Sequence, residues 1–330
     1  MKEINIGFIG CGGISYGHLR NLKNTEGVKV AGVFDPKKES VEKFLREAGD
    51  IQVFKSDRDL IEKGNFDAVV INSPHTYHFP QIMLSLKYGL HVLVEKPAVV
   101  NYREAQEVKK LLKKTKRVFV VGYQRHYMET FLAAKKILEE KKLGKIVFVS
   151  GYLAQDWINI VRNTGRIWRF EPKFSGGGQL TDSGSHFVAL LFYLTGLTPV
   201  QVASFIDYRG MKVDINTAFI VKFKEKTIGS FGILGIDPSF REALLIWGEK
   251  GVMKLSAYGE NNYVHYYGEK EPQQLSESVS KIKSPAGDLI ECIKGNKQPQ
   301  TPFSVIEKVA LLSDKIYQSF KQEKIIKAFA

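Results

Sequence analysis

Five short runs rich in β-branched residues recur through the first third of the chain, at Ile4–Ile9, Val28–Phe34, Asp67–Ile71, His91–Val94 and Val118–Val121. Amphipathic Lys/Glu-rich stretches with helical spacing separate them, at about 14–24, 38–47, 77–88 and 102–114. The runs are apolar almost throughout, so each must be covered on both faces. Such strands belong in a mainly parallel sheet with helices crossing over on both sides, a doubly wound α/β domain.

After Gly122 the rhythm changes. A helical segment at about 128–141 precedes a strand over Lys145–Leu153, an irregular Trp/Arg/Gly-rich stretch to Gly178, and an apolar helix at about 181–195. Alternating runs at about 200–208, 216–224, 227–235, 241–248 and 251–257 fit an antiparallel sheet, and helices near 285–294 and 303–321 end the chain. The chain thus reads as an α/β domain over residues 1–122 followed by an α+β domain over residues 123–330. With 330 residues, 44% of them hydrophobic, two cores can be buried, and disordered or fibrous classes are excluded.

The net charge is +13, from 48 Lys+Arg against 35 Asp+Glu. The lysines fall in pairs among glutamates, as at Lys109-Lys110 and Lys113-Lys114, which describes solvated helix faces and no nucleic-acid surface. Cys11 and Cys292 stand far apart and fit no metal or redox spacing. No signal-peptide pattern opens the chain, and no apolar run approaches the ~20 residues that span a bilayer. These features predict a cytoplasmic protein without a membrane or nucleic-acid partner.

The first run ends in Gly10-Cys11-Gly12-Gly13-Ile14-Ser15 and leads directly into a helix. In a dinucleotide-binding turn the first glycine makes the bend, the second lets backbone approach a pyrophosphate, and the third position is small. Those roles fall on Gly10, Gly12 and Ser15. The second run ends at Asp35, placed to accept hydrogen bonds from an adenosine ribose. That favours NAD, with NADP as the alternative because Lys37 and Lys38 are close by. Asn72-Ser73-Pro74 and Glu95-Lys96-Pro97 follow two further runs, on the sheet edge where open α/β folds bind ligands. Lys96 is then aimed at the cofactor cleft or is a solvated loop lysine. His75 and His78 suit capping and packing near the nicotinamide ribose, and no metal is expected.

Gly176-Gly177-Gly178 precedes Asp182 and His186, four residues apart on one helix face. A carboxylate beside an imidazole can orient it for proton transfer near neutral pH; the alternative is a capping Asp with a core His.

Taken in order, Gly10-x-Gly12-Gly13-Ile14, Asp35, Asn72-Ser73-Pro74-x-x-x-His78, Glu95-Lys96-Pro97, Gly122-Tyr123-Gln124-Arg125 and Gly176-Gly177-Gly178-x-x-x-Asp182-x-Gly184-x-His186 resemble a known set. These are the signatures of the glucose–fructose oxidoreductase, inositol 2-dehydrogenase and rhizopine-catabolism (Gfo/Idh/MocA) family, and the resemblance covers essentially the whole chain. It implies an N-terminal Rossmann domain and a C-terminal domain with a large, mainly antiparallel sheet that carries the substrate site and often the oligomer contact. It also implies NAD(P)-linked oxidation or reduction of a sugar, polyol or inositol, with the catalytic Lys, Asp and His on Lys96, Asp182 and His186.

The expected cofactor contacts are completed by Ile14, Lys37, His75, His78, Glu95 and Gln124. Arg125, Tyr127, Trp157, Arg162, Arg166, Trp168 and Arg169 are candidates for holding sugar hydroxyls or an anionic group. A homodimer or homotetramer is expected. Two positions depart from the family pattern: His126 stands where many members have Arg, and Ala189 where many have a second acid. Two rival readings remain at this level, an NAD-dependent glycoside hydrolase using transient oxidation and a non-catalytic NAD-sensing regulator.

Overall fold

The structure is a computed structural model that describes residues 3–258, 261–275, 284–295 and 297–328. Its first part alternates strands and helices: β1 (Ile4–Ile9), α1 (Gly13–Lys23), β2 (Val28–Phe34), α2 (Lys38–Ala48), β3 (Gln52–Val53), α3 (Asp57–Lys63), β4 (Ala68–Ile71), α4 (His75–Lys87), β5 (His91–Val94), α5 (Tyr102–Thr115) and β6 (Phe119–Val121). The six strands form an all-parallel sheet in the order β3-β2-β1-β4-β5-β6, the doubly wound arrangement expected from the uninterrupted apolar runs. β4, Ala68-Val69-Val70-Ile71, is 0% exposed throughout, which explains why none of its residues is polar.

The chain continues through α6 (Glu129–Glu139), β7 (Ile146–Ala154), α7 (Trp157–Asn163), α8 (Pro172–Ser175) and α9 (Ser183–Thr195). There follow β8 (Pro199–Asp207), β9 (Asn216–Phe223), β10 (Ile228–Leu234), β11 (Arg241–Gly248), β12 (Gly251–Leu255), β13 (Tyr263–Tyr266) and β14 (Gln273–Gln274). The final elements are α10 (Pro285–Gly295), α11 (Phe303–Gln322) and β15 (Ile326–Lys327). Nine strands make the second sheet, ordered β14-β13-β12-β11-β7-β10-β9-β8-β15. Every pairing in it is antiparallel except β7 with β10. The alternation is clearest in β9, where Thr217, Phe219, Val221 and Phe223 are buried while Ala218, Ile220 and Lys222 are exposed. α9 is buried from Phe187 to Leu194 and brings the Phe187 ring against β7 at Gly151.

Two compact units result. The first runs to Val99, resumes at Arg103–Gln124, and takes in the stretch ending at Phe303 that carries α10. By this division α10 falls with the first unit, away from its neighbours in sequence. Ala286, Leu289 and Ile290, at spacing 0, 3 and 4, join Ile4, Phe8, Leu19, Leu93 and Val120 in one core. The open α/β sheet needs cover on both faces, and a helix distant in sequence completes it. The short elements β3, α3, α7, α8, β13, β14 and β15 were not expected, because pieces of two to seven residues carry too few periods for a pattern to register. Among the described residues no helix is long and apolar enough to cross a membrane.

Candidate active site

The register of the parallel sheet aligns the motifs of the first unit. Ile9 pairs with Phe34 and with Ile71, Ile71 with Val94, and Val94 with Val121. The next residue on each strand is Gly10, Asp35, Asn72, Glu95 and Gly122, so five sequence-predicted positions lie level along the carboxyl edge. Gly10 and Asn72 meet where the strand order reverses, the place at which such sheets bind ligands.

Gly10 has φ +92°, and a Cβ there would stand 2.8 Å from the Asn72 carbonyl carbon, so both conformation and space demand glycine. Gly12 caps α1 without a side-chain hydrogen bond, and nothing lies within 4 Å of where its Cβ would be. Gly12, Gly13 and Ile14 are exposed, while Ser15 is buried with its Oγ donating to the Gly12 carbonyl at 2.6 Å. The start of α1 thus presents uncapped backbone N–H groups beside open room, a cradle shaped for a pyrophosphate.

Asp35 accepts from the backbone N–H of Cys11 and of Lys37, each at 2.8 Å. Two of a carboxylate's roughly four acceptor positions remain for a ribose diol. Asn72 donates through Nδ2 to the Gly10 carbonyl at 3.3 Å, and its Oδ1 is buried with no hydrogen-bond partner among the described residues. An orphaned acceptor at the switch point fits a donor brought in by a bound dinucleotide. The residues present therefore fit NAD. Asp35→Ser is expected to raise the NADP-to-NAD affinity ratio about tenfold or more by removing the like charge that opposes a 2′-phosphate. Fluorescence titration with each nucleotide measures this; an unchanged ratio would take Asp35 out of the ribose site.

Glu95 is 8% exposed and binds His18 Nε2 on α1 at 2.9 Å, a partner the sequence reading missed. Its other oxygen accepts the Lys96 N–H at 3.3 Å. His78, 0% exposed, reaches the Pro97 carbonyl through Nδ1 and the Ser73 carbonyl through Nε2, both at 2.8 Å. Burial pushes its pKa below the usual histidine range. His78 therefore fastens the loops after β4 and β5 together. His75 is also buried, 3% exposed, with its ring centroid 6.0 Å from that of His78. Ser73 donates to Gln81 at 2.6 Å and Pro74 caps α4. Lys37 is exposed, and Lys96 and Gln124 are partly exposed. Among the described residues no three His, Cys, Asp or Glu side chains gather as for a metal.

In the second unit Asp182 is the N-cap of α9, not a residue of its first turn, and is 2% exposed. Its Oδ2 accepts from Trp157 Nε1 at 2.8 Å and lies 3.3 Å from Arg169 Nη1. A carboxylate this deep requires such partners to offset its lost hydration. His186 follows within α9, partly exposed. Trp157 packs edge-on to Phe170 at 5.5 Å and shares a core with Val161, Val213 and Ile215, which fixes the indole. Arg169 lies over the Trp168 ring at 5.3 Å. Arg166 is partly buried, and Arg162 is exposed on α7.

The turn before α9 is held by Asp214, a residue absent from the sequence reading. It is 1% exposed and accepts the N–H of Gly178 at 2.6 Å and of Leu180 at 2.8 Å, together with the Tyr317 hydroxyl. Burial raises its pKa, and those three hydrogen bonds work against the rise. A Cβ on Gly178 would meet the Asp214 carbonyl oxygen at 2.0 Å, so this glycine permits close approach. No motif marks Asp214, since only folding brings β9's approach segment against the glycine run.

Arg125 and Tyr127 are buried. Arg125 forms an ion pair with Glu242 on β11 and lies over Phe240 at 6.0 Å. Its guanidinium therefore has a carboxylate partner within the scaffold. The two departures from the family pattern pack together. His126 is 0% exposed, stacks on Tyr193 at 4.2 Å and hydrogen-bonds the Ala189 backbone.

The chain matches the family model described as "Oxidoreductase family, NAD-binding Rossmann fold" (Gfo/Idh/MocA) over residues 4–123, and that of the Gfo/Idh/MocA C-terminal domain over residues 131–254. It is 26% identical to scyllo-inositol 2-dehydrogenase (NAD(+)) of Bacillus subtilis, over 46% of this chain and 44% of that protein, less than half its length. Its fold is that of scyllo-inositol dehydrogenase from Lactobacillus casei, solved with NAD(H) and scyllo-inositol: TM-score 0.80, 19% identity, 99% of both chains. The WlbA dehydrogenase from Chromobacterium violaceum, solved with NADH and UDP-GlcNAcA, gives TM-score 0.83 and 22% identity over 99% of this chain and 96% of that one. With both of its halves matched and its cofactor cradle intact, this chain belongs to the Gfo/Idh/MocA family of NAD-binding oxidoreductases.

Proposed function

We propose that this protein is a dehydrogenase that interconverts a secondary alcohol and a ketone on a sugar, polyol or inositol. The observation that carries the reading is the second-unit site, where His186 follows an Asp182 whose carboxylate is fixed by Trp157 and Arg169. Oxidising a secondary alcohol breaks a C–H and an O–H bond; the hydride and the proton must leave by separate routes. NAD, when bound, supplies the hydride acceptor. His186 is the general base that takes the hydroxyl proton, with Asp182 as its orienting partner. Lys96 holds its ammonium at the hydroxyl oxygen and stabilises the alkoxide charge that develops as the proton leaves.

Absorbance of NADH on incubation with NAD and a panel of hexoses, inositols, polyols and sugar acids tests the reading. One substrate must yield NADH and ketone in equal amounts. Release of an aglycone from a glycoside without net NADH would favour the hydrolase, and NAD binding without turnover of any kind the regulator.

We further propose that the protein is a homo-oligomer paired through the open face of the nine-stranded sheet. Phe205, Ile220, Ile228, Tyr152 and Phe148 are 79%, 55%, 49%, 41% and 37% exposed on it. The nine strands average six residues, and at about 4.8 Å between strands and about 3.3 Å per residue they make a face of roughly 850 Å². That exceeds the ~800 Å² that each partner contributes to a standard stable interface. Light scattering is expected to give at least twice the 37.3 kDa chain mass, falling to one chain in Ile220→Glu. A monomeric wild-type protein would remove this proposal.

A further inference from the structure

We propose that the substrate carries an oxyanion, a carboxylate or phosphate group on the sugar, and that Arg166 and Arg169 bind it beside the reacting alcohol. This rests on the dehydrogenase reading and specifies its substrate class. Arg166 immediately precedes the 3₁₀ turn Ile167–Phe170, and the Arg169 N–H donates to the Arg166 carbonyl at 3.0 Å. The Arg166 guanidinium interacts electrostatically with both Arg169 and Asp182, and Arg169 lies against the same carboxylate.

The charges there do not balance. Two guanidinium cations face one carboxylate, Asp182, which lies 3.3 Å from Arg169 and already accepts from Trp157. The Arg166 side chain makes no hydrogen bond or ion pair among the described residues, although it is partly buried. Burial and the neighbouring Arg169 lower its pKa, and Asp182 acts in the opposite sense. Arg169 adds a second observation, since its Nε is buried with no hydrogen-bond partner among the described residues. Glu171, next to the turn in sequence, pairs with Lys212 at 2.7 Å.

A partly desolvated cation lacking a counter-charge costs free energy in the protein without ligand, and an incoming anion recovers it. Guanidinium donors form a planar fork that matches carboxylate and phosphate oxygens in pairs. A neutral polyol would satisfy the donors but leave the excess charge in place. The net positive charge of the cluster therefore selects against neutral sugars and for their acid or phosphorylated counterparts.

The test compares matched pairs on the full-length protein with NAD: glucose with glucuronate and with gluconate, and glucose with glucose 6-phosphate. In at least one arm the anionic member is expected to show kcat/KM roughly ten- to a hundredfold above its neutral partner. The carboxylate and phosphate arms identify which oxyanion is recognised. Arg166→Gln should collapse that ratio towards one, chiefly through KM. Calorimetric titration of gluconate and of glucose 6-phosphate supplies an arm that needs no turnover, with affinity for one of them expected to fall about tenfold in Arg166→Gln.

Preference for the neutral member in every pair, or a variant that leaves both ratio and affinity unchanged, would overturn the proposal. If no sugar yields NADH while the calorimetric difference stands, the dehydrogenase reading fails and the anion site survives. If neutral polyols turn over and the calorimetric difference is absent, the reverse holds.

Discussion

His186→Asn is expected to lower kcat by about two to four orders of magnitude while leaving NAD affinity within about twofold, since a positioned general base contributes that much to proton transfer. Asparagine keeps a polar side chain of similar reach and removes only the capacity to take up a proton. Lys96→Ala should lower kcat by a comparable factor, through lost stabilisation of alkoxide charge. Stopped-flow measurement of NADH formation gives the chemical step, and nucleotide titration gives binding. Because the first unit supplies the nucleotide cradle, binding is the control that separates lost chemistry from lost folding. Near-normal hydride transfer in either variant would end the assignment of that residue.

The second large effect concerns stability. His126 has its pKa lowered to about 3, chiefly by burial and then by Arg125, against an ordinary value of 6.5. In the folded chain it is neutral, whereas in the unfolded chain it takes up a proton as pH falls below 6.5. Its contribution is thus fully present above pH 6.5 and is lost progressively as pH falls towards 3. The loss reaches roughly 4 kcal/mol near the lower limit, at about 1.4 kcal/mol per pH unit for one proton.

His126→Phe keeps a ring for stacking on Tyr193 and cannot titrate. The variant is expected to be less stable at neutral pH by about 1 kcal/mol, from the lost hydrogen bond. Its stability should then decline less steeply with acid than that of the wild type, by about one proton's worth of slope. Urea unfolding at a series of pH values measures both. Parallel curves would show that His126 is protonated in the fold.

His126 forms a neutral contact in this part of the scaffold, supported by stacking on Tyr193 and a hydrogen bond to the Ala189 backbone. A buried ion pair is often matched in stability by a well-packed neutral pair. The acid sensitivity just described is the cost of using an imidazole for this purpose.

The cofactor half was legible because its chemistry is local. Gly10, Gly12, Ser15 and Asp35 sit at fixed offsets from the ends of β1 and β2, and parallel register alone then aligns them with Asn72, Glu95 and Gly122. The large antiparallel sheet was legible for the same reason, since a period of two along each strand is written into neighbouring residues.

What only tertiary structure decided are pairings between residues far apart in sequence. His18 with Glu95, Arg125 with Glu242, Trp157 with Asp182, and Asp214 with Gly178, Leu180 and Tyr317 are separated by 25 to 117 residues or lack any motif that links them. So is the return of α10 to the first core. Each arises because a buried polar group or an uncovered apolar face must find a partner, and nothing local in the chain specifies where that partner comes from. Sequence determined which elements form and which edge of the first sheet carries the nucleotide-binding turn; folding decided which charged side chains pair and which do not.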